Sequence, residues 1–372
     1  MNFLRAKAIA EKEMIHILRD PRSLLMAIAI PLLLLFLFGY ALTLDVDNVP
    51  LAVFDMDGSQ MSRRFIDRFD RSKYFSLRLM AKDYRQIEAS IDRGECLMGL
   101  VIPRDFSTRL QSGRPVSVQA FVDGSNSNTA SIALGYASTI AAIYSQEHLA
   151  EVLGKTLKPV DPQIRVWFNT ELKSRNYIIP GIMVVIMMVI ASLLTSLTIA
   201  REWENGTMEQ LISTPLQPGE LILGKMTPYF FIGFLDMLLS VVMGTQLFRV
   251  PLKGNPLVLF ALSSLFLVGG LSLGLLYSIL VKNQLFAYQL AMLTSFLPSF
   301  ILSDFTFPIT GMPPAVRLLT YLVPARYFVT IVKGIFLKGV GVEILWMETV
   351  LLGVFGGTVF LIANMSLKKR LQ

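Results

Sequence analysis

Six stretches of this chain, residues 24–42, 177–200, 226–248, 256–281, 285–303 and 345–367, are almost unbroken apolar sequence. Each is close to the roughly 20 residues that an α-helix needs to cross about 30 Å of hydrocarbon. The chain therefore reads as a polytopic α-helical membrane protein with six transmembrane helices. Composition agrees: of 372 residues 53% are hydrophobic and only 16% charged, with a mean hydropathy of +0.56, which excludes a cytosolic enzyme, a disordered chain and a collagen. The runs are continuous rather than alternating, which excludes an outer-membrane barrel.

The net charge of +7 is not a nucleic-acid footprint. Residues 43–176 hold 17 Lys and Arg against 16 Asp and Glu, so nearly all the excess lies beside the apolar runs, where it sets orientation and meets anionic membrane lipid. Cys96 is the only cysteine and has no partner for an internal disulfide. With His16 and His148 the only histidines, no zinc cluster is expected.

Residues 1–23 carry Arg5, Lys7, Lys12, Arg19 and Arg22, while Phe3, Ala6, Ala10, Met14 and Ile17 recur at helical spacing. That pattern predicts an amphipathic helix lying on the inner leaflet. Glu11, Glu13 and Asp20 make the segment too acidic for a signal peptide, although Gly39-Tyr40-Ala41 has the form of a cleavage site. With the N terminus inside, six spans return the tail 368–372 to the inside, and its Lys368-Lys369-Arg370 fits that side. Lys and Arg in the short connections number eleven inside, Lys225 and Lys282 among them, and six outside. Residues 304–344 are expected as an external re-entrant hairpin, because Pro324, Arg326 and Lys333 interrupt the apolar stretch 318–337.

The insert 43–176 has a different texture. Strand patterns at Leu51–Phe54, Phe75–Met80, Leu97–Ile102 and Val116–Val122 alternate with helical patterns at 59–70, 83–93, 104–112 and 128–153, predicting an α/β domain on the extracytoplasmic side. Asp57-Gly58-Ser59, Pro103-Arg104-Asp105 and Asp123-Gly124-Ser125-Asn126 supply turns and helix caps. Asp55-Met56-Asp57-Gly58 superficially matches a calcium loop, but no ligand set follows at the right spacing.

Gly219-Glu220-Leu221-Ile222-Leu223-Gly224-Lys225-Met226 fits a phosphate-binding loop except at its last position, where Met226 has no hydroxyl for Mg²⁺. No strand precedes it and an apolar run follows, so nucleotide binding is not expected there. In the connection 201–225, Ala200 to Pro215 reads as a short helix spanning 202–212 with Glu204, Met208 and Leu211 on one face, ended by Thr214-Pro215.

That segment resembles the coupling-helix signature of type-2 ATP-binding-cassette (ABC) exporter permeases, roughly E-x-G-T-x-E-x-L-[LI]-x-T-P; Glu204, Gly206, Thr207, Glu209, Leu211, Ile212, Thr214 and Pro215 match it. Ser303-Asp304-Phe305-Thr306-Phe307-Pro308, Pro324-Ala325-Arg326 and Lys333 to Gly339 are similar to that family's external hairpin, so the resemblance covers the whole chain and points to its drug-exporter-like members with a large external domain. It implies a permease subunit of a bacterial inner membrane that is not itself an enzyme and holds no cofactor, ATP and Mg²⁺ being bound by a separate ATPase present in two copies. A second permease, identical or paralogous, and a periplasmic adaptor are the further partners implied. Glu202, Glu204 and Glu209 would meet polar groups of the ATPase, and Leu211 and Ile212 its apolar groove. The substrate implied is amphipathic and drug- or lipid-like, with Na⁺ export as the alternative.

Two carboxylates stay open between readings. Asp236, the one acidic residue near the middle of a span, is either a transport or subunit contact or a packed residue. Asp304, where the family resembled commonly carries Gly, either lines an exit or binds a cation, or reaches external water. A rival from another class is a receptor or scaffold whose external domain senses a ligand without transport; it predicts no matching ATPase.

Overall fold

The computed structural model describes residues 2–20, 25–41, 48–153, 168 and 173–371. The expected limits of the first span, 24 and 42, and the expected start of the insert, 43, lie outside the described residues, as do 154–167 and 169–172 within it, whereas its expected end at 176 falls inside the helix Ser174–Ser196. The chain divides into two compact units, Met1–Thr43 with Val166–Gln372, and Leu44–Arg165.

In the first unit, α1 (Phe3–Arg19) is capped by Asn2, whose side chain accepts from Leu4 N at 3.1 Å. Its buried stripe is Ala6, Ile9, Glu13 and Ile17. A π-helical turn, Leu25–Ala29, leads into α2 (Ile30–Ala41). Pro31 cannot donate to the carbonyl one turn back, and the wider turn takes up that break.

The second unit is a four-stranded sheet, β1 (Val49–Asp55), β2 (Phe75–Met80), β3 (Met98–Ile102) and β4 (Gln119–Val122), in the order β2-β1-β3-β4. β1 runs parallel to β2 and β3, and β4 is antiparallel to β3. The helices are α3 (Gln60–Asp70), α4 (Tyr84–Asp92), α5 (Phe106–Gln111) and α6 (Ser127–Leu153). Leu51 and Val53 look onto one core with Phe65, Phe69, Phe75 and Phe106, and Ala52 onto the other with Ile87, Cys96 and Val101, the period-2 alternation of a strand covered on both faces. The Asp55–Gly58 stretch is a turn: Asp55 Oδ1 accepts from Asp57 N and Gly58 N, both at 3.0 Å, and Ser59 caps α3. Asp105, expected as a cap, makes no capping bond and instead pairs with Arg109 at 2.6 Å.

The first unit continues with α7 (Ser174–Ser196), α8 (Thr198–Glu204), α9 (Met208–Ile212), α10 (Pro218–Val242), α11 (Pro256–Val281), α12 (Gln284–Ile301), α13 (Pro314–Thr320), α14 (Pro324–Lys333) and α15 (Trp346–Leu371). α7, apolar all round, is buried on nearly every side and packs against α11 and α12. Gly274 of α11 lies against the Ser192 carbonyl and the Thr195 hydroxyl, so that any Cβ there would strike α7 backbone. Thr195 Oγ1 closes the contact by donating to Leu271 O at 2.9 Å.

Among the described residues four helices are long and apolar enough to cross a membrane: Ser174–Glu204, Pro218–Leu247, Pro256–Val281 and Trp346–Leu367. A fifth is reached if Pro314–Thr320 and Pro324–Lys338, bent by 82°, count together. The protein is thus a multi-pass membrane protein, but two expected spans fall short. Ala27–Ala41 is a shorter apolar helix, and α12 carries Gln284, Gln289 and Pro298.

Candidate functional site

The segment between α7 and α10 is a helix, a turn and a second short helix, not the single helix expected over 202–212. Gly206, at φ +70°, turns the chain into the left-handed region that L side chains avoid, which ends α8. Gly206 N donates to Trp203 O at 3.2 Å across the stop, and α9 restarts at Met208.

The turn is held from beneath. Lys225 of α10, 1% exposed, places its Nζ 3.0 Å from Glu202 Oε1 and 3.1 Å from Glu13 Oε2, and donates to Thr198 O at 3.4 Å. Tyr229, one turn further along α10, donates to Glu13 Oε1 at 3.0 Å. Lys12 reaches Glu202 at 3.1 Å and Thr207 donates to the same carboxylate. Three elements distant in sequence, α1, α8 and α10, are thereby closed around two carboxylates and one buried ammonium. Removing one partner from such a pair typically costs about 3–5 kcal/mol, because the other charge stays buried and unpaired.

Around this cluster further contacts fix the segment. Ser278 Oγ accepts from Ile199 N at 2.9 Å and Ala200 N at 2.8 Å. Glu204 accepts from Gln284 N at 2.8 Å, and Lys282 lies 4.0 Å over the Trp203 ring. Arg201 meets His16 at 2.6 Å, Arg5 donates to Pro215 O, and Glu220 takes the Asn2 backbone N–H. Gly224 lets α1 come this close: a Cβ there would sit 2.7 Å from Ile9 Cβ and 2.8 Å from Ala6 O.

The matched residues therefore divide. Glu202 faces inward and is spent on Lys225, Lys12 and Thr207; Glu204 is exposed but engaged by Gln284. Glu209, Ile212, Thr214 and Pro215 lie on the open surface, Leu211 is half-buried, and Met208 anchors α9 underneath. Arg5, Ile9, Lys12, Pro215 and Leu216 border an adjoining recess of about 310 Å³. Lys225, expected as one of the inside charges of the connections, is buried within the helices. Its role and that of Glu13 were not read from the sequence. The available signal was a carboxylate on the apolar stripe of α1 and a lysine beside an apolar run.

Asp236 is 1% exposed within α10, and its Oδ1 has no hydrogen-bond partner among the described residues. Asp304 follows α12 at φ +69°. Its carbonyl accepts from Tyr177 Oη and Lys333 Nζ, both at 2.6 Å, its Oδ1 accepts from Ile309 N at 3.0 Å, and its Oδ2 lies 3.4 Å from Lys333 Nζ. A glycine would adopt this conformation without strain, and the bonds explain how an aspartate is tolerated.

Known proteins resemble this chain along most of its length. The profile described as ABC-2 family transporter protein matches residues 21–364. The chain is 40% identical over 341 residues to the probable multidrug ABC transporter permease YbhS of Escherichia coli K12, covering 91% of this chain and 90% of that one. It is 32% identical over 349 residues to the probable multidrug ABC transporter permease YbhR of the same strain, covering 92% and 93%. To the inner membrane transport permease YhhJ it is 27% identical over 331 residues, covering 87% and 86%.

Proposed function

We propose, on the premise that this chain belongs to the ABC-2 family of transporter proteins, that it is a permease subunit that exports an amphipathic, drug- or lipid-like compound when a separate ATPase hydrolyses ATP. The observation that carries this reading is the surface of α9 and the following turn, where Glu209, Ile212, Thr214 and Pro215 stand exposed on a base fixed by Lys225, Glu13 and Glu202. A projecting segment on a rigid base passes on a push, and one on a loose base absorbs it. Glu209 offers charge and Ile212 an apolar contact to the ATPase, of which two copies serve a pair of permeases, identical or paralogous.

In this reading ATP and Mg²⁺ bind the ATPase and this chain supplies the path. The chain crosses the inner membrane six times, the short helix α2 and the more polar α12 supplying the two remaining spans, with 304–344 as an external hairpin and both termini cytoplasmic. Residues 43–176 lie outside, where a periplasmic adaptor docks. Asp236 faces the path or the second permease. Names of relatives, two of them multidrug permeases, support the substrate class.

The deciding experiment is ATPase activity of the ATP-binding subunit co-purified with this chain in lipid, with and without Glu209→Lys and Ile212→Asp. The expected result is a wild-type complex whose activity rises with drug and variants that dissociate or lose that response. Absence of any co-purifying ATPase, with variants indistinguishable from wild type, would overturn the reading.

A further inference from the structure

The α/β unit holds a cavity of about 560 Å³ between α3 and the later part of α6, within the roughly 300–1,000 Å³ typical of small-molecule sites. Arg64 and Arg68 of α3 and Arg71 at its C-cap line one side; Tyr144, Glu147 and His148 of α6 line the other. Three guanidinium groups thus face one volume, with Asp67 and Glu147 as the counter-charges among the described residues that line it.

These groups are unequally occupied. Arg68 Nη2 is 2.6 Å from Glu147 Oε2. The guanidinium groups of Arg64 and Arg71 have no ion-pair partner among the described residues, and His148 Nε2 is buried with no hydrogen-bond partner among them. Tyr144 gives its hydroxyl to Met61 O at 3.0 Å, so its ring, with the Met61 side chain, forms an apolar wall. The guanidinium fork matches planar and tetrahedral oxyanions two bonds at a time, and Glu147 already shows one carboxylate seated on it.

We propose that this cavity binds a small organic anion, a carboxylate, sulfate or phosphate joined to a ring or short apolar body, whose charged group bridges Arg64 and Arg71 and displaces Glu147 from Arg68. The body of the ligand lies against Tyr144 and Met61, and His148 supplies a further polar contact. A recess walled by two helices, rather than a flat charged face, favours a small ligand over an acidic protein surface. The inference is independent of ATP coupling.

The test is calorimetric titration of the full chain in phosphatidylcholine nanodiscs with 2-naphthoate, beside the neutral 2-naphthylmethanol and inorganic phosphate. Saturable binding of 2-naphthoate is expected, with none of the alcohol and phosphate at least about tenfold weaker. Arg64→Gln with Arg71→Gln should weaken naphthoate at least about tenfold, and Glu147→Gln should tighten it several-fold by removing a competing carboxylate. All three side chains are exposed, and unchanged circular dichroism checks the fold. No saturable naphthoate binding, equal binding by the double-arginine variant, or weaker binding by Glu147→Gln would each overturn the proposal. Phosphate binding as tight as naphthoate would overturn its organic part. No ATPase is present, so failure here leaves the coupling reading standing.

Discussion

Lys225 and Glu13 stand 212 positions apart in the chain, and their charged atoms are 3.1 Å apart in a place water does not reach. The pair joins the N-terminal helix to the base of the segment proposed to meet the ATPase. Because Glu202 shares the same ammonium, the three charges act as one unit.

The first prediction follows from that sharing. Lys225→Met removes the buried ammonium from two carboxylates, leaving Glu13 only the Tyr229 hydroxyl, and should destabilise the folded subunit by about 3–5 kcal/mol, seen as a lower midpoint of thermal unfolding in detergent. Glu13→Gln alone should cost less, since Lys225 keeps Glu202. Combining the two should be clearly less damaging than the sum of the single changes, with an interaction energy of about 0.5–3 kcal/mol. Strict additivity would show that the charges do not act together.

Gly224 tests the same junction by shape. A leucine there meets Ile9 and the Ala6 carbonyl at once, and backbone cannot yield as a flexible side-chain tip can. Gly224→Leu should therefore lift α1 away while the rest of the bundle stays folded. Trypsin cleavage at Arg5, Lys7 and Lys12 should become faster, and drug-stimulated ATPase activity should fall if the N-terminal helix belongs to the transmission. Unchanged cleavage would mean that α1 does not depend on this contact.

Asp304 gives an ordered series. At φ +69° a side chain costs about 1 kcal/mol relative to glycine, while the partly exposed pair with Lys333 returns at most about 1 kcal/mol. Asp304→Gly should fall within about 1 kcal/mol of wild type by thermal unfolding. Asp304→Ala keeps the strained conformation, loses the ion pair and the bond from Ile309 N, and should be the least stable. An alanine variant as stable as wild type would show that the carboxylate does nothing for the loop.

How much of this was legible follows from range. The alternation in Leu51–Phe54 and Leu97–Ile102 is local, and those strands appear as β1 and β3 within a residue or two. The cap at Ser59 is equally local. By contrast, nothing near Lys225 in the chain announces Glu13, and the sequence places it only among the inside charges. Gly206 was read through because a glycine inside a short helical pattern is tolerated, and its left-handed φ is visible only once the backbone is built. The π-helical turns at Leu25–Ala29 and Met243–Leu247 leave no pattern that distinguishes them from α-helix.

Sidedness can be tested with the one native thiol as a built-in blank. Cys96 is buried, and burial pushes its pKa above the usual thiol value, so at neutral pH its thiolate is both scarce and shielded and a maleimide should leave it unmodified. An introduced cysteine then reports alone. Glu209→Cys, on the exposed face of α9, should be modified by an impermeant maleimide in inside-out vesicles and protected in intact spheroplasts. Arg114→Cys, on the exposed turn after α5, should behave in the opposite way. The sign of the titration is fixed: reactivity of Cys96 should stay low at pH 7 and appear only as pH rises toward its elevated pKa or as the α/β unit unfolds. If both introduced cysteines react from the same side, the membrane separates neither segment from the other, and the placement of residues 43–176 outside and 201–225 inside fails together.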